Sequence, residues 1–262
     1  MRRKFSNLIL IVFYYFKIIK LLKKNNIINI KLFNFKNWHH GCGYFTAFLD
    51  NKKVFIKFDT KLLLLQNDLV VYNITNSSLK KHLVTIHNSI ILDDIQIIIY
   101  EFLEGTELSD IIVFKNPKLI DSMIDILQIL NNLDIVHRDI KFDNFFIVNN
   151  QIKIIDFTFA NSLNKKLGFK ELDLDSLSNC ATLEFLGNGL NPKPFIWNDL
   201  IALSNNLESL NKDKCLDVYI KRIESINSKS YQVKCSESYL KVRNLKKNLK
   251  TFFKKCHSYR EL

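Results

Sequence analysis

A chain of 262 residues can bury a full core and divide into two lobes. Its five cysteines, at 42, 180, 215, 235 and 256, are odd in number and contain no Cys-x-x-Cys pair. That argues against a disulfide framework or a zinc site and for a reducing compartment. The net charge of +12 suits an anionic partner. No nucleic-acid-binding motif accompanies it, so nucleic acid is not the expected partner.

The charge is uneven, since residues 1–49 hold nine Lys or Arg and no acid. Met1-Arg2-Arg3-Lys4 precedes an apolar run from Leu8 to Phe16 that is too short to span a bilayer. No small-residue cleavage site follows it, as a signal peptide would require. Lys17, Lys20 and Lys24 share one helical face, with Ile18, Leu21 and Leu22 toward the other. Two readings stay open for this helix. It lies on an anionic membrane surface, the preferred expectation, or it packs its apolar side on the rest of the chain.

His39 and His40 have no partnered acid or cysteine nearby, so a metal site is not the expectation there. Gly41-Cys42-Gly43 is either a glycine loop or an ordinary turn. After a turn at Asp50-Asn51, with Lys52 and Lys53 read as solvated, Val54-Phe55-Ile56-Lys57 reads as a strand. A helix is expected over Lys61 to Tyr72, carrying Gln66 and Asp68. Ile97-Ile98-Ile99 shows no alternation and suits a strand buried on both faces, followed by the stretch Tyr100 to Leu108. Apolar residues at 120, 123, 124, 127 and 130 predict a helix over Leu119 to Leu133. His137-Arg138-Asp139-Ile140-Lys141-Phe142-Asp143-Asn144 follows. Phe145 to Val148, Asn149-Asn150 and Ile152 to Ile155 read as strand, turn, strand. They lead into Asp156-Phe157-Thr158. Phe195 to Leu200 begins another helix, and from Leu240 a basic stretch with an apolar side reads as a terminal helix.

His-Arg-Asp with Asn144 five residues after Asp139, then Asp156-Phe157 after a hairpin, resembles the catalytic segment of the eukaryotic-like protein kinase superfamily. Phosphoryl transfer explains the residue types. A carboxylate must take the proton of the acceptor hydroxyl, and Mg²⁺ demands oxygen ligands in near-octahedral array. The resemblance implies an α+β, two-lobed protein kinase-like fold, with a small β-rich N-lobe and a mainly helical, reduced C-lobe. It divides the chain into an N-terminal helix (1–32), an N-lobe (33–101) and a hinge with C-lobe (102–262). It implies ATP and Mg²⁺ as cofactors, Asp139 as base, Lys141 beside the transferred phosphate, and Asn144 and Asp156 as metal ligands. By the same resemblance Lys57 holds the nucleotide phosphates, as in the Val-Ala-Ile-Lys strand. Gly41 and Gly43 cover the phosphates, and the backbone from Glu101 to Leu103 meets the adenine. Tyr100 backs the adenine pocket, Glu107 reaches the ribose, and Asp199 holds the catalytic-loop backbone.

Three departures bear on activity and acceptor. No glutamate precedes Glu101, so Lys57 lacks the usual glutamate partner, leaving Asp68 or Gln66 as substitutes. Thr158 stands where the family has glycine, which removes the easy positive-φ freedom of that position. No Ala-Pro-Glu follows. A pseudokinase scaffold therefore stays open. The reduced C-lobe, the basic start and Glu101 to Leu108 resemble bacterial kinases of lipopolysaccharide core sugars (heptose and Kdo). A glycolipid or saccharide hydroxyl is the first expectation for the acceptor, and a protein Ser/Thr hydroxyl the alternative. The expected location is the cytoplasm, with peripheral contact at the inner face of the cytoplasmic membrane.

Overall fold

The computed structural model describes residues 14–34, 41–162, 167–170, 198–211 and 214–234. His39, His40, Phe195 to Trp197 and the basic stretch from Leu240 lie outside them.

A helix over 14–24 (α1) precedes a five-stranded antiparallel sheet. Its strands are β1 (Ile28–Asn34), β2 (Cys42–Leu49), β3 (Lys52–Asp59), β4 (Ile86–Ile91) and β5 (Gln96–Glu101), in the order β1-β2-β3-β5-β4. Asp50 and Asn51 both take positive φ (49° and 61°) in the two-residue β2–β3 turn, a conformation Asn and Asp tolerate. Strand alternation splits β3 into two faces. Val54, Ile56 and Phe58 point one way, and Lys57 points the other, opposite Tyr44 and Ile98 in register.

Ile18 and Leu22 of α1 are fully buried in one cluster with Ile27, Val54, Ile56 and Phe58. Ile18 and Leu22 of α1 thus cover the sheet face opposite Lys57, the packing reading of this helix. The amphipathic pattern is the same for both uses, and the partner that buries the helix is thirty residues distant in sequence. The exposed Lys17–Asp94 ion pair, at 2.6 Å, adds little. Among the described residues, no helix is long and apolar enough to cross a membrane. Leu22→Ala should lower unfolding stability by about 3 kcal/mol in urea titration, the usual range for a buried leucine. A loss under about 1 kcal/mol would mean that α1 is not part of the core.

On the other sheet face lies α2 (Gln66–Ile74), and the short α3 (Ser77–Lys80) follows it. Helix α2 begins five residues later than the expected Lys61. The buried Asp59 carboxylate accepts the backbone N–H of Lys61 (2.9 Å), Leu62 (3.0 Å) and Leu64 (3.2 Å). A side chain from β3 thereby satisfies donors that would otherwise start a helix.

After β5 come β6 (Thr106–Glu107), α4 (Asp110–Lys115) and α5 (Lys118–Asn132). Helix α5 buries Ile120, Met123, Ile124, Leu127 and Leu130, the stripe read from the sequence. Next are β7 (Ile135–Val136), β8 (Phe145–Val148), β9 (Gln151–Ile154) and β10 (Asn161–Ser162). Strands β6, β8 and β9 form one small sheet, and β7 pairs with β10. The β8–β9 turn repeats the two-residue positive-φ solution, at Asn149 (50°) and Asn150 (59°). Helix α6 (Asn198–Leu210) completes this unit.

Residues 211–262 form a second unit, within which α7 (Asp217–Lys234) is described. Asn211 caps its approach, accepting the Leu216 N–H at 2.8 Å and donating to Asp217 Oδ1 at 2.6 Å.

Candidate active site

The segment His137 to Asn144 runs between β7 and β8, and buried polar contacts hold it. Asp199 on α6 accepts the backbone N–H of His137 (2.7 Å) and of Arg138 (2.9 Å) on its two carboxylate oxygens. This places it where the resemblance to the kinase helix put it. Burial raises the Asp199 pKa, which the charges and amides of His137 and Arg138 oppose. Arg138 takes φ 70°, a left-handed bend that a non-glycine residue adopts only when its surroundings hold it. His137 Nε2 lies 2.9 Å from the Ile155 carbonyl, and its Nδ1 3.3 Å from the Asp139 N–H. One neutral tautomer, with the proton on Nε2, satisfies both contacts.

Asp139 is the centre of this loop. Its Oδ2 receives Asn144 Nδ2 at 3.0 Å and faces the Lys141 ammonium at 3.2 Å. Its Oδ1 is buried without a hydrogen-bond partner among the described residues. A buried, unpaired carboxylate oxygen is costly and marks a site where a proton or donor group is meant to arrive. Asn144 also donates to the Asp139 carbonyl, at 2.7 Å. With both donations on Nδ2, its carbonyl oxygen is the atom left for a cation. The Ile155 N–H donates to the Asn144 carbonyl at 3.0 Å, which joins this loop to the end of β9. Asp139, Asn144 and Asp156 are thus brought close together. Burial disfavours the charged Lys141 ammonium, but Asp139, Asp143 and Asp156 outweigh this and raise its pKa.

Across the cleft, Lys57 Nζ lies 2.6 Å from Asp156 Oδ1 and 2.7 Å from Thr158 Oγ1. Burial would lift the Asp156 pKa. The Lys57 charge and hydrogen bonds from Lys57 and Thr158 hold it well below the usual carboxylate range. Burial would likewise lower Lys57, yet Asp156, Tyr44 and Asp68 hold it above the usual lysine value. Asp156 itself is left-handed, with φ 66° and ψ 65°.

Asp68 of α2 does not form an ion pair with Lys57. Its Oδ1 accepts the Phe157 N–H at 3.2 Å, and among the described residues its Oδ2 has no partner in hydrogen-bond geometry. The buried Tyr100 hydroxyl is close enough to affect Asp68 electrostatically, but it too lacks a partner in hydrogen-bond geometry. Burial and the Asp156 charge push the Asp68 pKa up to about 6 against the opposing pull of Lys57. Gln66 turns to Gln96 rather than to Lys57, with its Oε1 3.5 Å from Gln96 Nε2.

The remaining expected residues lie on the strands and connections of the same unit. Gly41, with φ 78°, ends the β1–β2 connection, and a Cβ there would meet Lys61 Cβ at 2.6 Å. Gly43 lies inside β2, where a Cβ would meet the Phe58 ring at 2.2 Å. Its lack of a side chain is therefore required for sheet packing, whatever else it does. Glu101 ends β5, Leu103 is half-buried just beyond it, and Glu107 is exposed on β6. The Glu101 side chain accepts from Lys153 (2.8 Å) and from the Thr85 N–H (3.0 Å). Its pKa is lowered because these contacts outweigh burial. Lys153 also donates to the Leu83 carbonyl at 2.7 Å, so one β9 side chain ties together the segment before β4 and the end of β5. Lys53 is exposed, as expected, but stands at the start of β3 rather than in the turn. Its ammonium sits 3.6 Å from the ring centre of Phe102.

Sequence reasoning missed Thr158, Lys153 and Asn67. Asn67 of α2 is buried and donates to the carbonyls of Thr158 (3.0 Å) and Lys170 (3.1 Å), while accepting the Lys170 N–H at 2.8 Å. Only the absence of an expected glutamate hinted that α2 must hold the site by other means.

Among the described residues, no group of three His, Cys, Asp or Glu could hold a metal ion. The pair Asn144 and Asp156 supplies one amide and one carboxylate oxygen, a donor set that suits Mg²⁺ completed by phosphate oxygens and water.

Comparison with known proteins bears on this geometry. The family model described as protein kinase domain matches residues 66–189. The serine/threonine-protein kinase PAK 5 of Rattus norvegicus is 29% identical over 123 residues, 44% of this chain and 17% of that protein. The serine/threonine-protein kinase SKM1 of Saccharomyces cerevisiae is 28% identical over 192 residues, 64% of this chain and 29% of that protein. The chain thus spans less than a third of the length of either relative. A crystal structure of the BubR1 kinase domain superposes with TM-score 0.47 at 20% identity, covering 71% of this chain and 64% of that one. The matched segment contains Asp68, Asp139, Asn144, Asp156 and Thr158. These residues thus lie in the part of the chain that is similar to a protein kinase domain.

Proposed function

We propose that this chain binds Mg²⁺·ATP in the cleft and transfers the γ-phosphoryl group to a Ser or Thr hydroxyl of a protein, releasing ADP. The observation that carries the proposal is the Asp139 carboxylate, one oxygen bonded to Asn144 and near Lys141, the other buried and unpaired. That oxygen is the base that takes the acceptor's proton as the new P–O bond forms. Lys141 offsets the charge growing on the phosphoryl oxygens. Lys57 binds the nucleotide phosphates. Asn144 and Asp156 hold the cation, which supplies further charge neutralisation when bound. The Glu101–Leu103 backbone meets the adenine, Glu107 reaches the ribose, and the β1–β2 connection with Gly41 and Gly43 covers the phosphates. A cytoplasmic location, where ATP is supplied, goes with this reading.

The relatives named as serine/threonine-protein kinases favour a protein acceptor over the lipopolysaccharide sugar first expected. One support of the glycan expectation also weakens, because α1 spends its apolar side on the sheet. The acceptor is tested by incubating the protein with γ-labelled ATP, Mg²⁺ and total host extract, with Asp139→Asn as control. The expected result is Asp139-dependent label on phosphoserine or phosphothreonine. Label confined to glycolipid would overturn the protein-acceptor reading, and no Asp139-dependent label would overturn transfer itself.

A further inference from the structure

The lysine that reaches the nucleotide phosphates needs an anchor, and α2 gives Lys57 none directly. Among the described residues, Asp68 makes no ion pair with Lys57, and its Oδ1 accepts the Phe157 N–H instead. The partners of Lys57 both lie in the tripeptide Asp156-Phe157-Thr158. We infer that Thr158 is a positioning residue, whose hydroxyl aims the Lys57 ammonium at the nucleotide phosphates in place of a helix-borne glutamate.

The geometry supports this at three points. Thr158 is buried, and its Oγ1 accepts from Lys57 at 2.7 Å. Its backbone is fixed independently, because Asn67 Nδ2 binds the Thr158 carbonyl at 3.0 Å. A β-branched side chain on a fixed backbone has few rotamers, so the hydroxyl is held in place rather than found by chance. The third point concerns Asp156. Once a cation shares the Asp156 carboxylate, that carboxylate holds Lys57 less strongly, since the two positive charges compete for it. Thr158 carries no charge for the cation to draw on, and it remains the anchor of Lys57 in the loaded state. A glycine at 158 offers no such oxygen.

The inference rests on the phosphotransferase reading, and nucleotide binding separates the two. Wild type, Thr158→Val and Thr158→Ser would be titrated calorimetrically with ATP, with and without Mg²⁺, and their melting temperatures recorded. Where transfer is measurable, KM and kcat would follow. Valine keeps the shape and removes the hydroxyl. It should weaken Mg²⁺·ATP binding roughly tenfold, as expected for losing a hydrogen bond to a charged group. The rise should appear in KM for ATP, with kcat changing by less than about threefold. Serine restores the oxygen and should return affinity to within about twofold of wild type. Should Thr158→Val fail to fold, Thr158→Ala carries the same comparison against serine. Folded valine and alanine variants that bind Mg²⁺·ATP like wild type would overturn the inference. So would a folded serine variant as weak as valine. If wild type binds nucleotide in a Thr158-dependent way yet transfers nothing, the positioning role stands and the phosphotransferase reading falls.

Discussion

Asp139→Asn is expected to abolish measurable transfer while the protein still binds Mg²⁺·ATP within about twofold of wild type. General-base catalysis contributes roughly 10²–10⁴-fold, and an amide cannot take the acceptor's proton. Asparagine is nearly isosteric with aspartate. It can still accept from Asn144, so the loop keeps its shape, and Asp199 continues to hold the His137 and Arg138 amides. Stability should not fall, and it should rise slightly, because the variant removes a buried carboxylate with one unpaired oxygen. Urea denaturation and single-turnover transfer measured on the same preparation check both halves. A variant as active as wild type would remove Asp139 from the chemistry. A variant that is inactive but markedly less stable would assign the residue to structure instead.

Asp156→Asn should cost more, because Asp156 does two things at once. It is the only carboxylate among the described residues that pairs with Lys57, at 2.6 Å, and it is one of two proposed cation ligands. Transfer should fall by at least about 10³-fold, since both charge neutralisation and positioning are lost. Mg²⁺·ATP affinity should drop with it, unlike in Asp139→Asn. Stability should fall too. Lys57 keeps only 8% of its side-chain surface exposed, and an unpaired buried ammonium is expensive. Breaking a fully buried pair costs about 3–5 kcal/mol; the Asp156 side chain is 27% exposed, so the lower end applies. The pH window follows from the two shifts. The Asp156 pKa is depressed, so its contribution is present above the ordinary carboxylate value of 3.8 and fades as pH falls below it. The Lys57 pKa is raised, so its contribution is complete below the ordinary 10.5 and is lost only at still higher pH. Wild type and Asp156→Asn should therefore differ across the whole neutral range and converge in strong acid. Equal stability at pH 7 would show that the pair is not energetically important.

How much of this was legible in the sequence depended on the range of the interaction. The α5 stripe, the Asn149-Asn150 turn and the loop from His137 to Asn144 are local patterns, and each appears where the residues placed it. Asp199 was found through a resemblance, not a pattern, since nothing local says that it reaches back sixty residues to accept two amides. The start of α2 was misjudged because the Asp59 carboxylate acts across a turn that propensity does not see. For α1 the sequence left two readings open, because amphipathicity names an apolar face but not what covers it. Thr158 is the most instructive miss. Its identity was read as a lost glycine, a statement about backbone freedom, when the hydroxyl it brought makes a new contact.

The Asn67 amide has a consequence for how this chain tolerates change over evolutionary time. It grips residues 158 and 170 entirely through their peptide groups, two carbonyls and one N–H. Every residue type except proline offers the same peptide group, so the clamp is blind to which side chain occupies position 170. Mutational drift there should pass unnoticed by the clamp, whereas Asn67 itself has no substitute. Only glutamine shares its donor and acceptor, and that is one methylene too long for the same span. Sequence variation in a family built this way would concentrate on the held segment and spare the residue that holds it.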